Sequence, residues 1–285
     1  MSIFGATALC VRLAAGLLAA SAVPPASVSV TRDLVYGEDP TLQSLDVYSQ
    51  EGEVHLPVVV FIHGGGWAEG DKGVHLRKGS FFVHAGFVYV TLNYRLSPAV
   101  THPAHAEDVA RALGWVREHI ADYGGDPTRI FLLGHSAGAQ LAALVATDPR
   151  YLALAGLKVE DVRGVALLDG SGYDLVTRVP LSRGWSRTMY LQAFGSDPKV
   201  WADASPVRHI EKGRPLPPFL LFHIDARRAS ATQAVLLASA VNAAGGSAEV
   251  VPVTGRNHAT IVKRLGLPGD PVGAQLLRWM RARLR

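Results

Sequence analysis

The stretch Arg129 to Asp148, RIFLLGHSAGAQLAALVATD, places a lone serine where an apolar run gives way to alanine and leucine at helical spacing. Ile130 to Leu133 reads as a buried strand and Gln140 onward as a packed helix, so Ser136 stands on the corner between them. A chain that turns from strand to helix at one residue forces strained backbone angles there, and Gly134 and Gly138, which carry no side chains, relieve the crowding. The hydroxyl is left exposed. Glycine-x-serine-x-glycine between a strand and a helix is the pattern of a nucleophile elbow, and both flanking elements are present.

The rest of the chain is consistent with that corner. Leu34-Val35-Tyr36 and the alternating Leu45 and Val47 predict two antiparallel strands opening a sheet. PVVVFIHGG and FVYVTLNY are unbroken β-branched and aromatic runs, the mark of strands covered by helices on both faces. THPAHAEDVARALGWVREHI supplies a helix with Ala106, Val109, Ala110, Leu113 and Val116 along one side. IFLLG, GVALLDG, PFLLFHI and AEVVPV add strands, separated by helical segments such as ATQAVLLASAVNAAGG with glycines just past its end. Alternation of this kind predicts an α/β fold: a mostly parallel twisted sheet with helices on both faces, binding ligands beyond the carboxyl ends of its strands. The stretch 171–210 is too long for a plain crossover. With Tyr173, Trp185, Tyr190, Phe194 and Trp201 it is a candidate for a small cap insertion over a pocket, against the alternative of a surface excursion packing its own aromatics.

Composition sets the outer bounds. A chain of 285 residues, 48% hydrophobic and 18% charged, is a soluble globular chain with room for one sizeable domain, expected over residues 23–285. The formal charge of +4 is scattered apart from the closing RWMRARLR, which argues against a nucleic-acid footprint. The single cysteine, Cys10, rules out an intramolecular disulfide and leaves the body without a thiol for catalysis or metal binding. Residues 1–22 read as a signal peptide: Arg12 precedes an apolar stretch, and Ala20-Ser21-Ala22 offers the small-x-small pattern of a cleavage site. The expected location is therefore the periplasm or the medium; a start codon set too far upstream would leave the protein cytoplasmic. Leu9 ahead of Cys10 speaks against a lipoprotein, and no segment is long enough to span a membrane. Oligomeric state is not legible.

A serine hydroxyl is a poor nucleophile until a base within hydrogen-bond reach takes its proton. Of eleven histidines, His258 in VTGRNHATI lies in a loop after the last predicted strand, with a polar, glycine-containing approach. An acid must then hold the imidazole in its working tautomer. Between Pro206 and His258 the acids are Glu211, Asp225 and Glu249, and Asp225 alone follows directly from a strand, in PFLLFHIDARRAS. It is the choice by elimination, with Asp169 and Asp174 of GVALLDGSGYDL competing because that strand end faces the same side of the sheet. An oxyanion needs backbone donors already aimed at it. In FIHGGGWAEGDK, Gly64, Gly65 and Gly66 follow a strand with nothing to obstruct a ligand, and the N–H of Ala137 joins them. His63 reads as a loop-shaping residue, and no lysine-serine or lysine-threonine pair follows to make the glycines a phosphate loop. Asp108 and Asp126 read as helix-cap and turn residues.

HGGGW, NYRLSP, HPAHAEDVARALGWV, YGGDPTRIFLLGHSAGAQLAALVATD and ASPVRHI together resemble the α/β-hydrolase-fold esterases near the hormone-sensitive-lipase branch, closest to its carboxylesterase, feruloyl-esterase-like and arylformamidase-like members. The similarity runs from about Leu34 onward. It implies a Ser136, Asp225, His258 triad, an oxyanion hole from Gly65, Gly66 and Ala137, and hydrolysis of small-molecule carboxylic esters with no cofactor or metal. Amide or formamide cleavage would use the same groups. One departure stands out: in the family the acid usually stands further beyond the strand-end histidine, whereas here the loop reads HIDARRAS and Ala226 and Ala229 fill the other places. A non-catalytic binding protein with a decayed acid site is the reading which that loop supports.

Overall fold

The computed structural model describes residues 27–73 and 77–285; the leader expected over 1–22 lies outside them. Two strands open the chain as expected, β1 (Val28–Val35) and β2 (Ser44–Gln50), followed by β3 (Leu56–Ile62). From α1 (Arg77–His84) strands and helices alternate: β4 (Val88–Leu92), α2 (Ala104–His119), β5 (Gly125–His135), then α3 (Ala137–Thr147) and α4 (Pro149–Leu154), and β6 (Val162–Leu168). The excursion after β6 holds α5 (Leu175–Leu181), α6 (Gly184–Phe194) and α7 (Pro198–Asp203). The chain then re-enters the sheet with β7 (Phe219–Ile224), α8 (Arg228–Ala243) and β8 (Ala248–Val253), and closes with α9 (Thr260–Lys263) and α10 (Pro271–Arg281).

The eight strands form one sheet in the order β1-β2-β4-β3-β5-β6-β7-β8. Only β2 runs against its neighbours, so the six strands from β4 across to β8 are mutually parallel. The apolar runs divide by side-chain parity, as a strand's alternation requires. Val58, Val60 and Ile62 of β3 pack on one face with α2, α3 and α8, while Val59 and Phe61 pack on the other with α1 and α10. The predicted stripe of α2, Ala106 through Val116, is fully buried. Each large side chain sealed in this way contributes about 1.5–3 kcal/mol, and the central strands are apolar on both faces over most of their length.

Register decides where the site falls. Ile62 lies beside Gly134, Gly134 beside Leu167, His135 beside Leu168, and Leu168 beside Phe222. The carboxyl ends of β3, β5, β6 and β7 are therefore level, and the loops that leave them rise from one edge of the sheet. In the excursion Tyr173, Tyr190, Phe194 and Trp201 are buried, whereas Trp185 is 76% exposed.

Candidate active site

Ser136 has φ 55° and ψ −115°, a conformation rare for a residue with a side chain. Its N–H is held by Leu168 O at 3.0 Å. The flanking glycines are needed for contact as much as for freedom of rotation. A Cβ on Gly134 would sit 2.3 Å from Gly138 O, and one on Gly138 would sit 2.2 Å from Ile62 O. Only without them can α3 start this close to β3 and β5, which lifts the serine hydroxyl above the sheet edge.

His258, in the loop between β8 and α9, accepts from that hydroxyl: Oγ lies 2.9 Å from Nε2. Two supports fix the loop. Asn257 Oδ1 accepts from the N–H groups of Ala259 and Thr260, and His135 Nε2 donates to His258 O at 2.9 Å. Burial, with the imidazole of His258 alongside, pushes His135 down to about 3, so it stays neutral and serves as a fixed donor.

The acid facing His258 is Asp169, the residue after β6, and not Asp225. His258 Nδ1 donates to Asp169 Oδ2 at 2.7 Å. Asp169 adopts φ 51°, which its short polar side chain tolerates. Its own N–H donates to Phe222 O at 2.8 Å, and its Oδ1 accepts from Ile224 N–H at 3.0 Å. The side chain is completely buried and also pairs with Arg227. Burial raises this carboxyl, but the hydrogen bonds from His258 and the Ile224 amide, with the Arg227 charge, outweigh it and hold the group at about 2.

Asp225 is exposed, and among the described residues its side chain has no hydrogen-bond or ion-pair partner. The cause is the turn after β7, which closes from Arg227 N–H to Ile224 O while Asp225 N–H still pairs with Val253 O on the edge strand. The turn aims residue 225 outward and returns residue 227 to the site. Asp174, the other competitor, is tied to Arg208 at 3.1 Å, and its N–H donates to Gln233 Oε1 at 2.7 Å.

The HGGGW loop arrives from β3. Gly65 and Gly66 have φ of 122° and 61°, and among the described residues neither amide donates to another group. A Cβ on Gly65 would meet Glu69 O at 1.9 Å. Ala137 heads α3, where first-turn N–H groups lack intrahelical acceptors. His63 shapes this loop: Nδ1 donates to Gly64 O at 2.7 Å and the ring stacks on Tyr94 with centroids 4.4 Å apart. Two anchors went unread in the sequence. Trp67 packs edge-on against Phe194 at 4.8 Å and donates to Gln140 Oε1 at 3.0 Å, while Gln140 Nε2 donates to Ala204 O at 2.7 Å. Asp108 was expected to cap a helix; buried, it instead accepts from Arg95 Nε, Nη2 and N–H at 2.7 to 3.0 Å and so fastens the NYRLSP segment.

Above Ser136 opens a cavity of about 380 Å³, walled by the glycine loop on one side, by Trp185, Met189 and Tyr190 of α6 on another, and by Arg227 and His258 on a third. Among the described residues no group of three or more acidic, histidine or cysteine side chains is placed to hold a metal, and no helix is long and apolar enough to cross a membrane.

The strand order, the strained serine between β5 and α3, and the histidine after β8 define an α/β-hydrolase fold. Solved structures agree. Esterase B from Lactobacillus rhamnosus superposes with a TM-score of 0.73 at 23% identity, covering 91% of this chain and 87% of that one. The carboxylesterase EstE1, cloned from a metagenomic library, gives 0.72 at 24%, covering 92% and 90%. The chain belongs to the BD-FAE family, whose model matches residues 45–241. Among relatives, the "probable carboxylic ester hydrolase LipM" of Mycobacterium tuberculosis is 36% identical over 67% of this chain and 46% of its own length. The isoprenylcysteine alpha-carbonyl methylesterase ICME of Arabidopsis thaliana is 30% identical over 82% and 58%. The chain spans about half the length of the curated relatives it matches first.

Proposed function

We propose that this chain is a serine carboxylesterase that hydrolyses small carboxylic esters through an acyl-enzyme on Ser136. The observation that carries the reading is the unbroken relay Ser136–His258–Asp169 at the floor of the cavity, with bonds of 2.9 and 2.7 Å. Its relatives bear esterase names, which supports the class of bond attacked.

In this mechanism Ser136 Oγ attacks the ester carbonyl carbon while His258 Nε2 takes the hydroxyl proton. Asp169 keeps the Nδ1 proton facing it and stabilises the imidazolium that forms. The carbonyl oxygen gathers negative charge and is met by the unengaged amides of Gly65 and Gly66, with that of Ala137. His258 then hands its proton to the departing alcohol oxygen. Water, deprotonated by the same imidazole, releases the acid and restores the serine.

The non-catalytic reading drew its support from the loop at Asp225, and that support falls once the carboxylate is supplied from β6. Ser136→Ala is expected to abolish hydrolysis of p-nitrophenyl acetate by the pure protein, with a loss of about 10⁵-fold or more in kcat, and to abolish labelling by a fluorophosphonate. Retention of most activity in that variant would sink the assignment.

A further inference from the structure

Beside the three relay residues lies a fourth side chain, a cation, that the mechanism above does not use. Arg227 Nη1 packs directly against both Asp169 Oδ2 and His258 Nδ1, so two N–H donors converge on one carboxylate oxygen. The placement is fixed from behind. Arg227 N–H closes the turn after β7 on Ile224 O at 2.9 Å, and α8 begins at the next residue, so the Cα from which the stem rises is fixed beside the relay. The guanidinium is about one-third exposed and lines the cavity, whereas the Asp169 side chain is fully buried.

An imidazole works as a base with one proton and is idle with two. A buried carboxylate alone invites the second proton, and a cation in contact with the same ring opposes it. Resting on the reading of Ser136, His258 and Asp169 as the working relay, we infer that Arg227 is a positioning residue that sets the acidic limit of the reaction: set against both partners of the Asp169–His258 bond, it offsets the carboxylate and keeps the imidazole free of a second proton further into the acid range. The other charges nearby leave this assignment to Arg227. His135, behind the ring, is neutral and donates only to the His258 carbonyl. Glu69 and Asp71 from the loop after β3, Arg178 from α5 and Lys263 from α9 line the same cavity, and none of them is hydrogen-bonded or ion-paired to the imidazole or to Asp169. Asp169, held at about 2, remains charged throughout the range concerned.

The test is the acidic limb of kcat/KM against pH for p-nitrophenyl acetate, which reports the free enzyme's base. Arg227→Gln is expected to move the limb upward by about one pH unit, with KM at the plateau little changed. Arg227→Lys, which keeps the charge, is expected to return most of that shift. An unmoved limb, or one displaced downward, overturns the inference. So does a changed KM with a fixed limb, which would leave Arg227 acting on the substrate and not on the imidazole. If Arg227→Gln does not fold, as judged by thermal denaturation, Arg227→Met read by the pH dependence of fluorophosphonate labelling carries the same expectation. None of these outcomes touches the relay itself, which stands or falls with Ser136→Ala on the wild-type background.

Discussion

The loops leaving β6 and β7 begin level with one another, each offers an aspartate at or next to its first residue, and they treat that aspartate in opposite ways. Asp169 turns inward through a left-handed backbone angle and is sealed among donors; Asp225 rides an outward turn and meets solvent. The β7 loop still reaches the site, but with a cation, Arg227. Position along the chain thus says little about which carboxylate serves a histidine. What decides is which turn buries its side chain and supplies amides to hold it.

The contrast breaks most decisively on the acids themselves. Asp169→Asn is expected to lower kcat by about 10⁴-fold by stabilising the wrong tautomer of His258, while Asp225→Asn stays within about twofold; steady-state kinetics with the reverse order would return the role to Asp225. Next comes the difference between a buried charge that is compensated and one that is not. Lys78 is 1% exposed, its amine lies 4.3 Å over the Phe61 ring, and among the described residues it has no hydrogen-bond partner. Burial pushes it down to about 7 from 10.5. The unfolded chain therefore keeps this proton to higher pH than the folded one, so stability rises with pH between about 7 and 10.5, and the penalty is constant below that window. Lys78→Met should flatten that slope and add roughly 3–5 kcal/mol at neutral pH, the size that follows from the shift, as read by denaturant unfolding at both ends of the window. The smallest effect concerns how His258 is held from the β5 side. His135→Phe removes one neutral hydrogen bond worth about 1 kcal/mol, and kcat/KM is expected to fall about fivefold, with no change in the order of the two aspartate variants.

Much of this was legible beforehand because the signals are local. Unbroken apolar runs betray strands covered on both faces, the glycines of GHSAG announce a close approach, and His258 follows the last strand. The acid was not legible, because the choice among Asp169, Asp174 and Asp225 depends on the register of three parallel strands and on which turn adopts a positive φ. No spacing within one segment encodes either. His135 escaped notice for a similar reason: as the unspecified residue of the serine motif, it acquires its partner only when a loop 123 residues away folds over it. Trp67 and Gln140 sit in stretches whose glycines and alanines already explained themselves, so nothing drew attention to the polar atoms they exchange.

Gln140 joins three parts of the molecule with one amide: its oxygen takes the indole proton from the glycine loop and its nitrogen grips the Ala204 carbonyl. Those two neighbours differ in polarity, so rotating the amide by half a turn, or exchanging it for glutamate, sets like against like at the Ala204 carbonyl. Any exchange of the excursion between β6 and β7 inherits that constraint. A replacement for α5 to α7 must hand the chain back with the Ala204 carbonyl bare and facing Gln140, or the HGGGW loop loses its mooring through Trp67.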